Sequence, residues 1–270
     1  MIMHIMHPQT RNGKWRRALA TLPLIAALGG CDMVVMNPAG DVARQQADLI
    51  LWSTGLMLLI IIPVMALTVI FAWRYRASNK DSDYAPDWDH STALELVIWS
   101  APLLIIIALG ALTWVATHTL DPYREVGRIA AGKPVPADQK PLDVEVVSLD
   151  WKWLFIYPEQ GVATVNELVV PVDRQVRFRL TSSDVMNTFY VPAMAGMIYT
   201  MAGMETKLHA VLNKPGNYAG MSANYSGAGF SGMHFRTHAL DEAGFARWVA
   251  STKAAAGKLD TATYLKLEQP

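Results

Sequence analysis

The runs Leu58-Leu-Ile-Ile-Ile62, followed by Pro63, and Pro102-Leu-Leu-Ile-Ile-Ile-Ala108 decide the architecture of this 270-residue chain. They are the centres of two longer apolar stretches, Leu49 to Trp73 and Leu94 to Trp114. A helix rising about 1.5 Å per residue needs roughly 20 apolar residues to cross about 30 Å of hydrocarbon, and both stretches suffice. Neither carries a charge beyond its first turn. Trp52, Trp73, Trp99 and Trp114 lie toward their ends, where interfacial aromatics collect. The expected structure is a transmembrane hairpin over residues 49–120. Arg74, Arg76 and Lys80 follow the first helix, which puts the connecting loop on the cytoplasmic side and both flanking segments in the periplasm. Asp81, Asp83, Asp87 and Asp89 share that loop but weigh little in this rule.

A third apolar stretch lies within residues 1–30. Arg11, Lys14, Arg16 and Arg17 precede the run Ala18 to Leu28, which is too short to span a bilayer. Leu28-Gly29-Gly30-Cys31 closes it and resembles the cleavage box of bacterial lipoproteins, which makes Cys31 the expected lipid attachment site. In lipoproteins of that kind an Asp in the place of Asp32 implies retention in the inner membrane. The expected location is therefore the bacterial inner membrane, with residues 31–48 as a periplasmic N-terminal segment. Cys31 is the only cysteine, so no disulfide forms within the chain. Formal net charge is zero and no folded segment carries a basic cluster, which argues against a nucleic-acid partner. Hydrophobic residues make up 52% of the chain, and the excess lies before residue 119, so the remainder reads as a soluble domain.

That remainder begins with a Gly- and Pro-containing linker at residues 127–141. Beyond it come short alternating runs with strand character. They are Val144-Glu-Val-Val147, Trp151 to Tyr157, Glu167 to Val170, Gln175 to Leu180 and Lys207 to Leu212. Turn signals at Pro158, at Asn213-Lys-Pro-Gly216 and from Gly227 to Gly232 separate them. This pattern predicts a β-sandwich or barrel over residues 142–239, followed by a helical tail at 240–270 whose helix covers Leu240 to Ala256.

Several residues invite a chemical reading beside an ordinary one. Glu95 opens the second apolar helix, where the helix dipole favours a solvated carboxylate at no special cost. Alternating aromatics such as Trp151, Trp153, Phe155 and Tyr157 usually pack a sheet. Met186, Met194, Met197, Met201, Met204, Met221 and Met233 crowd one region. Thioethers of this kind fill irregular cores, or hold Cu(I) in a periplasmic copper carrier or chaperone, which is the alternative function. His234 and His238 fall on an expected strand, where their spacing does not make a zinc pair. No phosphate-binding Gly loop, nucleophile elbow or carboxylate dyad is present.

Ser222-Ala-Asn-Tyr-Ser-Gly-Ala-Gly-Phe-Ser-Gly-Met233 carries the most specific signal. It resembles the ligand loop of cytochrome c oxidase subunit II, which holds a two-copper centre. The loop's cysteines fall on Ser222 and Ser226, its bridging Glu on Asn224, its His on Phe230 and its Met on Met233. The earlier His falls on Asn187, in Asp184-Val185-Met186-Asn187. Hydroxyl, amide and phenyl groups are poor donors for a soft metal, so no metal is expected at these vestigial positions. Phe71-Ala-Trp-Arg-Tyr-Arg-Ala-Ser-Asn-Lys80, Asp150 to Gly161 and Gly229-Phe-Ser-Gly-Met233 extend the likeness from about Cys31 to about Trp248. The sequence is thereby similar to subunit II of the copper-less branch of the haem-copper oxidases, the cytochrome bo-type ubiquinol oxidases.

That resemblance implies a cupredoxin-like Greek-key barrel and a non-redox subunit of a proton-pumping complex that oxidises ubiquinol and reduces oxygen. It implies no cofactor on this chain, with haems and copper in a partner subunit I, and other small membrane subunits alongside. It implies that Glu95 stands at the mouth of a proton-input path of subunit I. It also matches the Trp151 strand to one that receives electrons from cytochrome c in copper-bearing relatives. Members of the family continue into a further C-terminal arm, whereas this sequence runs to Leu265-Lys-Leu-Glu-Gln-Pro270.

Overall fold

In the computed structural model, which describes residues 33–82, 85–255 and 257–270, two long helices lead into a barrel of two five-stranded sheets. Cys31 and the basic and apolar leader before it lie outside the described residues. Helix α1 covers Asp41–Arg74 and α2 covers Thr92–Thr119. Their 34 and 28 residues make rods of about 51 and 42 Å, long enough to cross a bilayer with a turn or more to spare. Leu51, Ile62, Val69, Leu104 and Ile107 turn outward with no protein partner, as lipid-facing side chains do. Ser91 caps α2 by accepting the Leu94 N–H.

Helix α1 begins at Asp41 rather than near Leu49, so it takes in the end of the expected N-terminal segment. Tertiary contacts hold its start. Ala39, Ala43 and Ala47 are buried, and the Gly40 N–H donates to Ala193 O at 2.9 Å. A Cβ on Gly40 would lie 2.3 Å from the Val211 carbonyl oxygen, so only glycine lets the chain pass there. Arg128 Nε donates to the buried Asp41 carboxylate at 2.9 Å and ties the start of α1 to the barrel side.

Residues 127–141, read from their Gly and Pro as a linker, also hold structure. Strand β1 (Arg128–Ala130) pairs with β2 (Lys133–Pro134), and Ile129 is buried. Strands this short show no alternation to read. The barrel follows as β3 (Leu142–Leu149), β4 (Lys152–Tyr157), β5 (Val162–Val165), β6 (Glu167–Pro171), β7 (Val176–Ser182), β8 (Asn187–Tyr190), β9 (Ile198–Thr200), β10 (Thr206–Ala210), β11 (Gly216–Ser222) and β12 (His234–Leu240). One sheet has the order β10-β7-β3-β4-β5 and the other β6-β12-β11-β8-β9. The pairs β3–β7 and β6–β12 are parallel and the rest antiparallel, a Greek-key crossing between sheets. Helices α3 (Glu242–Ala254) and α4 (Thr261–Glu268) complete the chain, so the tail carries a second helix that its sequence did not announce.

Alternation on β4 sends Trp153, Phe155 and Tyr157 into the core, where they meet Phe178, Phe189 and Phe235. Phe189 and Phe235 stack at 5.3 Å across the middle of the barrel. The strand expected from Trp151 starts instead at Lys152. Trp151 has φ 65°, a left-handed conformation costly for a bulky residue, and this takes its ring off the core face.

Tyr157 joins the two sheets. Its hydroxyl donates to Val169 O at 3.0 Å and accepts the Val169 N–H at 2.8 Å. Val169 lies on β6, an edge strand, so this hydroxyl satisfies backbone groups that no neighbouring strand reaches. Burial pushes the phenol well above its ordinary range and keeps it protonated, as the donated bond requires. Tyr157→Phe leaves two buried backbone groups unpaired and is expected to cost about 2–6 kcal/mol, given about 1–3 for each such group. Thermal unfolding of the full chain checks this, and an unchanged midpoint would contradict the joint.

Candidate functional site

The loop between β11 and β12 closes over the end of the barrel with its side chains bonded to one another. Ser222, the last residue of β11, is buried, and its hydroxyl donates to Asn187 Oδ1 at 3.1 Å. The Ser222 Oγ also accepts the Thr188 N–H at 3.4 Å and lies 3.4 Å from Asn224 O. Asn224 Nδ2 donates to Tyr225 O at 3.2 Å and Met186 O at 3.5 Å. The Ser222 N–H donates to Met233 O at 3.1 Å, and Met233 itself is buried in the barrel core. Phe230 packs edge-on against Tyr225 at 5.7 Å within the loop. Asn187, Ser222, Asn224 and Met233 are thus brought together. Ser226 is set apart from this network, with its hydroxyl buried and without a hydrogen-bond partner.

These residues do not fit a copper centre. Ser222 and Asn187 spend their polar atoms on each other, Phe230 has no donor atom, and no thiolate or imidazole stands at the loop positions. Among the described residues, no group of three His, Cys, Asp or Glu side chains is arranged for a metal. The methionines divide between interior and surface. Met194 and Met233 are buried in the core, whereas Met186, Met197 and Met204 are exposed. His234 and His238 both lie on β12, opposite Met221 and Asn217.

Trp151 is the part of this site that strand alternation hid. Its indole lies flat against the loop, so close that a Cβ on Gly229 would meet ring atoms at 2.1 Å and one on Gly227 at 2.5 Å. Gly227, at φ 131°, also needs the conformational freedom of glycine. The glycines of Gly227-Ala-Gly229 were the available signal, because two glycines spaced by one residue give an aromatic face a flat seat.

A second constellation lies at the other end of the helices. Glu95 sits in the first turn of α2, and Glu95 Oε1 is 2.8 Å from His90 Nδ1. The other ring nitrogen of His90 is 3.1 Å from Thr92 Oγ1. Both side chains are more than half exposed, so the pair faces solvent beside the helix start. A carboxylate sharing a hydrogen bond with an imidazole can exchange a proton with it. His90 was not singled out from the sequence, although it directly precedes the cap Ser91, from which a side chain reaches back to the first turn.

The sequence profile of the family described as "Cytochrome C oxidase subunit II, periplasmic domain" matches residues 144–239. Cytochrome bo(3) ubiquinol oxidase subunit 2 of Pseudomonas putida is 51% identical over 259 residues, covering 95% of this chain and 80% of the relative. The protein of the same description from Pseudomonas aeruginosa is 51% identical over 255 residues, covering 94% of this chain and 74% of the relative. Ubiquinol oxidase subunit 2 of Acetobacter aceti is 48% identical over 243 residues, covering 90% and 77%. With a hairpin, a barrel and a donor-less loop all within these alignments, the chain belongs to the subunit 2 family of cytochrome bo(3) ubiquinol oxidases.

Proposed function

We propose that the chain is the subunit of a proton-pumping terminal oxidase that carries no redox centre of its own. Ubiquinol is oxidised and oxygen reduced to water on haems and copper held by a partner subunit I, with other small membrane subunits alongside. The observation that carries this reading is the loop, in which hydroxyl, amide and phenyl groups stand where soft donors would be needed. Ubiquinol dissolves in the bilayer and reaches a membrane-embedded partner directly. A periplasmic relay is then unnecessary, and the barrel serves as a cap that aids assembly and stability of subunit I. Alternation of the aromatics on β4 supports a packing role for them, since Trp153, Phe155 and Tyr157 are all buried. Cys31 attaches the N-terminus to lipid and the barrel faces the periplasm, with the whole in the bacterial inner membrane.

In this reading the hairpin packs against subunit I and Glu95 supplies its proton-input path. His90 collects protons from solvent and hands them to the carboxylate 2.8 Å away.

The tagged chain, extracted gently, is expected to bring haem with it and to consume oxygen when given ubiquinol but not when given reduced cytochrome c. A haem-free or copper-bearing preparation would sink this reading in favour of a copper carrier. In the same preparation, Glu95→Gln is expected to lower turnover by about tenfold, the equivalent of about 1.4 kcal/mol on the limiting step. His90→Asn should produce a smaller loss in the same direction. Turnover unchanged in both variants would leave Glu95 as a solvated carboxylate at a helix start.

A further inference from the structure

A cleft of about 380 Å³ lies where the start of α1, the end of α2 and the barrel meet. It belongs neither to the loop nor to Glu95. Its walls include Gln45 and Gln46 of α1, Thr119 at the end of α2, and Arg124, Glu125 and His209. At about 1.5 Å per residue, Gln45 and Gln46 stand roughly 5–6 Å beyond the apolar stretch that begins at Leu49. A bilayer of about 40–45 Å with a core of about 30 Å has headgroup layers of roughly 5–7 Å on each side. The cleft therefore lies at headgroup depth on the barrel side.

Two deeply buried side chains turn spare polar atoms to this space. Asp41 is 2% exposed, and its Oδ2 accepts from both Gln45 Nε2 at 2.8 Å and Arg128 Nε at 2.9 Å, while Oδ1 has no partner among the described residues. His209 is 5% exposed on the outer face of β10, covered by the segment after α2, whose Pro122 carbonyl accepts the His209 N–H. Its Nδ1 accepts from Gln175 Nε2 at 3.0 Å, which leaves Nε2 to carry the ring proton with no acceptor among the described residues. Burial lowers the pKa of His209 and holds the ring neutral, against the opposing influence of Glu125 and Asp143 and with that of Arg177 and Lys207. Arg124 uses one nitrogen on His118 O, and among the described residues the rest of its guanidinium has no partner.

We propose that this cleft binds the headgroup of a zwitterionic phospholipid bearing a primary amine. The phosphate rests on Arg124 and the His209 Nε2–H, and the ammonium donates to Asp41 Oδ1 and Glu125. Both signs of charge are present, with the carboxylates of Asp41, Asp121 and Glu125 against the guanidiniums of Arg124 and Arg128. Carboxylates outnumber guanidiniums, so an anionic headgroup is disfavoured. A trimethylated amine has no N–H to give Asp41 and loses that bond. At about 30 Å³ per water the cleft has room for on the order of ten waters, enough for a phosphoethanolamine group. The proposal rests on the helices crossing the membrane and is independent of the oxidase reading.

The test uses the full chain in the assembly that it forms in its membrane, stripped of loosely held lipid in mild detergent. Dioleoyl-phosphatidylethanolamine, -phosphatidylcholine and -phosphatidylglycerol are added in turn, and bound lipid is counted by native mass spectrometry. The expected result is one retained phosphatidylethanolamine, bound about tenfold more tightly than the other two and not displaced by inorganic phosphate. Arg124 and Glu125 are exposed, so the double variant Arg124→Gln, Glu125→Gln should keep the melting temperature and lose that preference. His209→Leu, with its melting temperature as control, should weaken the lipid in the same way. Equal retention of all three lipids, preference for the anionic one, displacement by phosphate, or an unchanged preference in the double variant would each overturn the proposal.

Discussion

The hydrogen bond from the Ser222 hydroxyl to the Asn187 side-chain oxygen Oδ1 is the constraint on which the end of the barrel depends. In a ligand loop a metal would tie these two positions, which are 35 residues apart, into one rigid unit. Here protein groups do so. A neutral hydrogen bond contributes only about 0.5–1.5 kcal/mol net, far less than a metal cross-link. The Trp151 ring supplies more by burying its face against Gly227 and Gly229, and the left-handed backbone at Trp151 is the strain accepted to place it there. An aromatic ring that would stand exposed near the loop in the absence of its glycine seat has become the clasp of the loop.

The same economy of tertiary contacts fixes the barrel to the membrane helices. Gly40 lets the chain pass within van der Waals distance of two carbonyls, and Asp41 then lies at the positive start of α1 facing Arg128. Arg128 is partly exposed, so its loss would weaken this junction chiefly by leaving the buried Asp41 carboxylate without its cation. In the proposed reading the barrel is a cap, and a fixed junction then matters. Its position over any membrane partner is inherited from the helices rather than from a loose tether.

The membrane helices were legible because hydrocarbon thickness imposes a length on apolar residues irrespective of what packs nearby. The alternation of Trp153, Phe155 and Tyr157 was legible for a similar reason, since one face of a strand meets the core. The first two turns of α1 were not, because the helix there runs on past the apolar stretch into polar residues that contact the barrel through Ala193 and Met194. Nor could local pattern reveal that Trp151 leaves the strand, as a positive φ in tryptophan has no sequence signal of its own. At the loop, the loss of donors could be read from residue types alone, and their replacement by a hydrogen-bond network could not. His90 escaped notice because its importance comes from where the cap Ser91 turns the chain.

Restoring the donors asks most directly whether the loop keeps the geometry of a metal site while lacking its chemistry. The chain carrying Asn187→His, Ser222→Cys, Ser226→Cys and Phe230→His would be incubated with copper, desalted and analysed for bound metal and visible absorption beside the unaltered chain. The account predicts tightly held copper with thiolate-to-copper bands in the substituted chain and none in the original. Copper retained by the original, or a folded substituted chain that binds none, would contradict it.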